Sequence, residues 1–343
     1  MPLALFQNIL GQTDAISWLT RAYQSDRLPH GLIFAGPPGV GKGTTAAALA
    51  ALYLCHQPNA KAAAPCGQCD SCRLVIADTH PDFRRVYRQL RRVEIKDAVA
   101  KDLGVPVMRE YLVAPASLKP ALNHGKVFVI EEAELMNAAA QNSLLKTLEE
   151  PFGRTLIILL ADQAQSLLPT IQSRTQTVRF HALDTALVAR ELAQRGIDPA
   201  TAKFAADLTE GSIGAALEWI ADDIIPAARE LLHHLDQLLA GQPPDNLADW
   251  FKNAAEAYAQ KQTEHDENAS LDQAKREGLS LYLRIAAQRF RRVLRESANP
   301  GELELACTAL EAIARADDYL DGNVNIPLIF QQLTQTLIRL TAA

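Results

Sequence analysis

The chain has 343 residues, of which 48% are hydrophobic and 6% aromatic, and its formal net charge is −6. These values are typical of a globular protein of two or three domains, and they exclude a disordered chain and a strongly basic nucleic-acid-binding protein. The first residues contain no basic segment, and no uncharged apolar run of about 18 residues occurs in the sequence. We therefore expect a cytoplasmic protein that makes no membrane contact.

The first strong motif is a glycine-rich phosphate-binding loop, GPPGVGKG, at residues 36–43. An apolar run at 32–35 predicts a strand before the loop, and an Ala- and Leu-rich segment at 44–54 predicts a helix after it. In such loops, glycines let the backbone turn its N–H groups onto phosphate while the lysine, here Lys42, supplies positive charge. The glycines in question are Gly36, Gly39 and Gly41.

One position of this motif departs from the usual pattern. Gly43 replaces the Ser or Thr whose hydroxyl would ligate magnesium, and Thr44 comes one residue too late for that role. The sequence therefore predicts a phosphate cradle with a weakened magnesium site, and it leaves open whether ATP and Mg²⁺ bind.

Further strands and helices alternate after the loop. A buried strand predicted over 126–130 ends in Glu131 and Glu132, where an acidic pair could orient magnesium and activate water. The other interpretation of these acids is a solvated strand end. A helix predicted over 138–149 and a third strand over 156–161 complete a pattern typical of a parallel α/β sheet, whereas the sequence after residue 180 is almost wholly helical.

Four of the five cysteines fall within one short segment: Cys55, Cys66, Cys69 and Cys72. Their C-x10-C-x2-C-x2-C spacing, in a cytosolic protein, predicts a structural zinc site rather than disulfides. Reduced thiols without metal, or a redox pair, are the alternatives, and His56 and His80 are less favoured as substitute ligands. A site closed by four thiolates has no open position for catalysis.

The segments NSLLKTLEEP at 142–151 and LLPTIQSRTQ at 167–176 resemble the bacterial clamp-loader branch of the AAA+ proteins. The phosphate loop, the cysteines, the acidic strand end and these two segments follow one another in that family's order across roughly residues 5–215. The resemblance implies an AAA+ P-loop domain with a parallel sheet and an inserted zinc module, a small helical lid and an all-α C-terminal collar. The expected domain ranges are 1–180, with the zinc module at about 55–72, then 181–240 and 241–343.

Several positions favour the delta-prime branch of this family over its ATP-hydrolysing gamma/tau branch. The triplet HPD at 80–82 resembles delta-prime chains, and Gly214 stands where the ATPases carry an Arg that senses the γ-phosphate. Ala161 with Asp162 stands where the ATPases usually place a polar sensor. Together with Gly43, these differences predict weak or absent ATP hydrolysis by this chain alone.

The resemblance also assigns a role to Arg174 in the segment Ser173, Arg174, Thr175. In clamp loaders, the Arg of the corresponding SRC segment reaches ATP bound by the neighbouring subunit; here Thr replaces the Cys. The alternative for Arg174 is a salt bridge at a helix end.

The resemblance implies a hetero-oligomer with gamma/tau and delta subunits that helps load a sliding clamp onto primed DNA. Two other functions stay open: an ATP-hydrolysing gamma/tau-type subunit, and a P-loop nucleotide-binding protein acting outside replication. Two arginine clusters could contact DNA phosphates, although a solvated face balanced by acids is the interpretation we favour for both. They comprise Arg84, Arg85, Arg88, Arg91 and Arg92, and Arg284, Arg289, Arg291, Arg292 and Arg295.

Overall fold

The computed structural model describes residues 9–87, 103–122, 124–242, 244, 246–265, 270–320 and 325–341. The chain forms two compact units, residues 1–215 and 216–343. The three domain ranges expected from the sequence stay a prediction. None of the helices in the described ranges is long and apolar enough to cross a membrane.

The first unit is built on a five-stranded parallel sheet with the order β2-β3-β4-β1-β5. Every residue of the three central strands is buried, as expected when helices cover both faces of a parallel sheet. The three predicted strands and the α/β class are thus confirmed. The strands are β1 (Gly31–Ala35), β2 (Phe83–Val86), β3 (Lys126–Ile130), β4 (Thr155–Ala161) and β5 (Gln176–Arg179).

Helices pack on both faces of this sheet and form two hydrophobic cores. A π-helical turn, Arg109–Val113, joins the short fourth and fifth helices, and 3₁₀ turns occur at Ala133–Leu135 and Ala164–Ser166. The helices are α1 (Thr13–Gln24), α2 (Lys42–Leu54), α3 (Asp70–Ile76), α4 (Val105–Met108), α5 (Ala114–Ala116), α6 (Ala138–Glu149), α7 (Pro169–Gln172), α8 (Thr185–Gln194), α9 (Pro199–Leu208) and α10 (Ile213–Ala221), which continues past the boundary of the unit.

Helices α2 and α6 flank the sheet on opposite faces and carry the segments that matter for function. The Ala and Leu side chains of α2 are buried in one core. Leu144 and Leu148 of α6 are buried in the other, which confirms the helical spacing read from the sequence. The side chain of Asn137 accepts the Ala140 N–H at 2.9 Å and caps the start of α6. The helix ends at Glu149, shortly before Pro151.

The described residues of the second unit form helices only. Aromatic rings lie at the centre of this unit: Phe251 packs on Phe330 with ring centroids 4.8 Å apart, and Trp250 packs on Tyr282 at 5.3 Å. Residues 241, 242, 244 and 246 belong to no helix, and the described residues of the charged stretch 262–276 are helical except for Ser270, which lies just before a helix. The helices are α11 (Ile224–Leu239), α12 (Leu247–His265), α13 (Leu271–Glu296), α14 (Pro300–Leu320) and α15 (Ile326–Thr341).

Candidate functional site

The phosphate loop lies between β1 and α2, as the sequence predicts. Gly39 has a left-handed backbone, with φ of +71°, and a Cβ at this position would lie 2.2 Å from Ser212 Oγ and 2.8 Å from Ala215 N. A side chain here would therefore displace the 212–215 segment, so the glycine is needed both for its conformation and for close packing. The N–H of Gly214 donates to Gly39 O at 2.9 Å, which ties this segment to the loop.

Lys42 is bound by its own loop and by an acid from a neighbouring strand. Its buried ammonium donates to the carbonyls of Gly36 and of Pro37, the latter at 3.1 Å. It also forms an ion pair with Asp162 Oδ1 at 3.0 Å, while the Asp162 side chain is half exposed. Asp162 directly follows β4, which pairs with β1, so parallel pairing brings the two residues to the same edge of the sheet. The charge that a phosphate would use is neutralised within the chain.

The hydroxyl groups near the start of α2 do not replace the one missing at Gly43. Thr44 is exposed, and Thr45 is buried with its Oγ1 donating to Gly41 O at 2.8 Å. A Cβ at Gly43 would meet only Leu160 Cδ1, at 3.9 Å. There is therefore room for a side chain at Gly43. Steric crowding does not explain why this position lacks a Ser or Thr hydroxyl.

Glu131 and Glu132 lie after β3, at the edge of the sheet that carries the phosphate loop. Burial raises the pKa of Glu131, and Arg85, whose Nη1 lies 3.5 Å from Glu131 Oε1, opposes this rise. Glu132 is exposed with a left-handed backbone, φ of +50°. The structure thus places both acids at the predicted edge, but Glu131 pairs with Arg85, whereas Asp162 is the acid paired with Lys42.

Glu134 is an acid of this edge that the sequence did not single out. Burial raises its pKa; the negative charges of Asp162 and Glu132 raise it further, while Lys42 lowers it. Its Oε2 is buried and makes no hydrogen bond within the described part of the chain. The edge is therefore rich in negative charge, which disfavours an anionic phosphate. The sequence EEAE at 131–134 contains this third acid, and that is the feature from which Glu134 could have been predicted.

The four predicted cysteines come together, with their Sγ atoms within 4.8 Å of one another. Tetrahedral zinc with Zn–S bonds of about 2.3 Å needs sulfur atoms about 3.8 Å apart; Cys66 Sγ and Cys72 Sγ are 3.9 Å apart. The backbone N–H groups of Gln68 and Cys69 stabilise the Cys66 thiolate and lower its pKa to about 6. Burial raises the pKa of Cys55 and Cys72. This cluster could hold one metal ion.

His80 belongs to a buried polar chain that connects the cysteine module to the sheet, not to the metal cluster. Its Nδ1 accepts the Asp82 N–H at 3.0 Å, so its Nε2 carries the proton and donates to Ser71 Oγ, also at 3.0 Å. Ser71 in turn donates to Leu54 O at 2.7 Å, and the Asp82 carboxylate accepts the N–H groups of Ala121 and Leu122. The HPD triplet therefore has a structural role in this fold, which sequence spacing alone did not reveal.

Arg174 lies at the opposite edge of the sheet from the phosphate loop, in the turn between α7 and β5. It precedes β5, which runs parallel to β1, and its carbonyl would lie 3.2 Å from a Cβ at Gly31, the first residue of β1. Its guanidinium forms an ion pair with Glu149 at the end of α6. The helix-end salt bridge considered as an alternative is therefore present, and one third of the Arg174 side chain is exposed.

The described members of the two arginine clusters are partly paired with acids. Arg85 pairs with Asp78 at 3.6 Å as well as with Glu131. In α13, Arg289 pairs with Asp236 at 2.7 Å, and Arg292 with Glu296 at 3.1 Å. For the members that the structure describes, these contacts favour the interpretation of a surface balanced by acids. Three further members lie outside the described residues: Arg88, Arg91 and Arg92.

Comparison with protein families gives a match to the family described as DNA polymerase III, delta subunit, over residues 11–184. A DNA polymerase III subunit delta' of Bacillus subtilis is 31% identical over 228 residues, covering 66% of this chain and 65% of the relative. The subunit delta' of Pseudomonas aeruginosa is 38% identical over 150 residues, covering 42% and 41%.

A gamma/tau subunit of Mycobacterium tuberculosis is 33% identical over 243 residues, covering 69% of this chain and 38% of the relative. The matches thus span less than two thirds of the length of these relatives. Among solved structures, a gamma subunit-related protein of Thermotoga maritima aligns over 96% of this chain and 99% of its own, with a TM-score of 0.45 and 17% identity. The RuvB branch-migration motor of the same organism aligns over 67% of each chain, with a TM-score of 0.39 and 15% identity.

Proposed function

We propose that this chain, which belongs to the family of DNA polymerase III delta-prime subunits, acts as a clamp-loader subunit that provides Arg174 to the ATP site of a neighbouring subunit. In this role it organises the ring of subunits and promotes ATP hydrolysis at a site that it does not itself contain. The arginine would stabilise the charge that develops on the transferred phosphoryl group, an effect of about a thousandfold or more in rate.

The observation that carries this proposal is the position of Arg174 relative to the phosphate loop. The loop begins after the last residue of β1, whereas Arg174 packs beside the first residue of the same strand. A five-residue strand separates the two edges by about 15 Å. Arg174 is thus too far from its own loop to act on a nucleotide there, and its partly exposed side chain suits a site presented by another subunit.

The contacts of the phosphate loop support a subunit that organises the ring without hydrolysing ATP itself. Lys42 is paired with Asp162, Gly43 has no hydroxyl for magnesium, and Gly214 packs against the loop where the ATPases of the family carry an Arg. Phosphoryl transfer depends on several converging charges, so the loss of these groups costs orders of magnitude in rate. We infer weak or absent ATP hydrolysis by this chain alone.

The two separate edges also suggest how the chain assembles. A subunit with a loop on one edge of its sheet and an arginine on the other fits a heterologous, head-to-tail arrangement. Its neighbours would be the gamma/tau and delta subunits, and the assembled complex, rather than this chain alone, would engage the sliding clamp and primed DNA.

We further propose that the metal of the cysteine cluster is structural Zn²⁺, held by Cys55, Cys66, Cys69 and Cys72. Bound zinc would crosslink the segment between α2 and α3 and supply folding free energy to a module with little core of its own. The backbone N–H groups around Cys66 Sγ help to keep that ligand in the thiolate form.

The experiment that tests the proposed function is ATP hydrolysis by a reconstituted loader containing Arg174→Ala. We expect clamp- and DNA-stimulated turnover to fall at least about tenfold, with assembly unchanged. Arg195→Ala is the matched control, because Arg195, like Arg174, is a solvent-accessible arginine paired with a glutamate, Glu191, at 3.3 Å. Turnover that is equal for the two variants would reject the proposal.

A gamma/tau-type function is the second candidate. It is favoured by the retention of Lys42 and by the position of Glu131 and Glu132 at the same edge of the sheet. Under this alternative, the purified chain hydrolyses ATP by itself, and Lys42→Ala abolishes that activity.

A further inference from the structure

The guanidinium of Arg174 is held from two sides by its own chain. On one side, Nε donates to Glu149 Oε1 at 2.7 Å, and Nη2 contacts the same carboxylate oxygen. On the other side, Nη1 donates to Thr170 O at 3.0 Å and to Ser173 Oγ at 3.2 Å. An arginine has five N–H groups, so these four contacts leave one hydrogen of Nη2 for a further acceptor.

Glu149 occupies a fixed position. It is the last residue of α6, and the preceding residue, Leu148, is buried. The ring of His30 donates from Nε2 to Leu148 O at 2.6 Å, and a Cβ at Gly31 would lie 3.2 Å from Leu148 Cδ2. The end of α6 is therefore attached to the start of β1, and these contacts fix the position of the Glu149 backbone relative to Arg174.

Neither helix stability nor the strength of the ion pair explains this carboxylate. The C-terminal end of a helix carries partial negative charge, so a glutamate there is unfavourable unless a cation is close. The side chains of Glu149 and Arg174 are about half and one third exposed, and such surface pairs contribute little to folding. What the contact does provide is orientation, because an arginine otherwise samples many rotamers.

We propose that Glu149 is a positioning residue, which fixes the orientation of Arg174 so that its outer Nη2 edge faces a phosphate of the neighbouring subunit. This inference rests on the proposed function of Arg174. Preorganisation of a charged group lowers the barrier of the step it assists without changing how tightly substrate binds elsewhere. Loss of Glu149 therefore lowers kcat for ATP hydrolysis and leaves KM for ATP unchanged.

The experiment compares four variants in the reconstituted loader with clamp and primed DNA. Glu149→Ala is expected to lower kcat about three- to tenfold, with KM and complex assembly as in the wild type. Glu149→Gln keeps an oxygen that can accept from both Nε and Nη2, so it should restore turnover to within about twofold of the wild type. Glu150→Ala is the matched control, since Glu150 is exposed and this substitution removes the same charge one residue away. Arg174→Ala calibrates the full effect.

A double variant separates failure of this inference from failure of the proposed function. Glu149→Ala should have no further effect in an Arg174→Ala background, because Glu149 acts only through Arg174. The inference is overturned if Glu149→Ala matches Glu150→Ala, raises turnover, or still lowers turnover when Arg174 is absent. If Arg174→Ala itself leaves turnover unchanged, the proposed function fails instead.

Discussion

Asp162 gives the phosphate loop a partner from within the chain. Its carboxylate lies 3.0 Å from Lys42 Nζ, in the surroundings that a phosphate oxygen would otherwise occupy in such a loop. A nucleotide must break this pair and also approach the negative charges of Asp162 and Glu134. The loop therefore has the shape of a phosphate cradle while its charge is balanced.

Asp162→Asn is expected to increase the affinity for ATP. The change removes one negative charge and releases Lys42, and an effect of about 0.7–1.4 kcal/mol corresponds to a dissociation constant three- to tenfold lower. Titration with a fluorescent ATP analogue measures it. Glu150→Gln, which removes a surface charge at the other edge of the sheet, should leave the affinity unchanged, and an Asp162→Asn variant that binds no better than wild type would contradict the role of this ion pair.

His80 should make folding stability depend on pH. Burial lowers its pKa, so the unfolded chain takes up the proton first as the pH falls. The stability that neutral His80 contributes is complete above the ordinary histidine pKa of about 6.5 and is lost as the pH falls below it. Protonation would also place a hydrogen on Nδ1, which accepts the Asp82 N–H.

Thermal unfolding at about pH 7.5 and about pH 5.5 tests this effect, since histidine titrates between them. The melting temperature of wild type should fall on acidification by more than that of His80→Asn. His181→Asn is the control, because the side chain of His181 is exposed. A loss on acidification that is the same for all three proteins would show that other groups account for it.

At the residue scale, the sequence identifies positions better than partners. Some features can be recognised in the sequence because each departs from or completes a motif: the missing hydroxyl at Gly43, the glycine at 214 and the four cysteines. The pairing of Lys42 with Asp162 and of Arg174 with Glu149 is not, because these residues are 120 and 25 positions apart and meet only through the packing of strands and helices.

At the scale of elements, the start of α10 packs directly against the phosphate loop. The two glycines at this contact approach so closely that a Cβ at Gly214 would lie 2.8 Å from Gly39 Cα. Backbone atoms cannot move aside as a flexible side chain can, so a side chain at Gly214 would overpack the contact between the helix start and the loop.

Two glycine substitutions should therefore have opposite effects on stability. Gly214→Ala is expected to lower the free energy of unfolding by about 1–3 kcal/mol through overpacking. Gly43→Ala is expected to raise it by about 0.5–1 kcal/mol, because Gly43 is helical and its Cβ would make only an ordinary contact. Urea denaturation of the two variants measures both values, and a Gly214→Ala protein as stable as wild type would contradict the close packing.

The cysteine module is expected to depend on its metal. Protein purified without chelator should contain close to one zinc per chain. Cys66→Ser should lower the metal content to near zero and destabilise the protein, because a structural zinc contributes to folding directly. Cys307→Ser is the control, since Cys307 is exposed and outside the cluster. Metal analysis that finds no zinc in the wild type would refute the assignment.

The sequence predicts the central strands better than the edge strands. Strands β1, β3 and β4 are apolar except at the first residue of β3 and of β4, because both their faces are buried, and such apolar runs can be recognised in a sequence. The edge strands β2 and β5 read FRRV and QTVR, with exposed polar residues that do not distinguish a strand from a loop. Their pairing with neighbours is a tertiary effect that no local pattern contains.

At the scale of the whole molecule, the parallel sheet separates the two candidate sites, which lie at opposite ends of its strands. The carboxyl ends of β1, β3 and β4 carry the phosphate loop, the acidic pair and Asp162, while the turn before β5 carries Arg174 at the other end. One chain therefore presents a balanced loop on one side and an arginine on the other. This arrangement fits the proposed role, in which the chain promotes ATP hydrolysis by a neighbour while its own loop contributes little.

The most direct test of this account compares Arg174→Ala and Lys42→Ala side by side in the reconstituted loader. Clamp- and DNA-stimulated ATP turnover is measured after gel filtration has shown that both variants assemble. If the chain acts as proposed, Arg174→Ala lowers turnover at least about tenfold, whereas Lys42→Ala stays within about twofold of wild type. A comparable loss in Lys42→Ala would contradict the proposal, because this chain's own loop would then take part in nucleotide turnover.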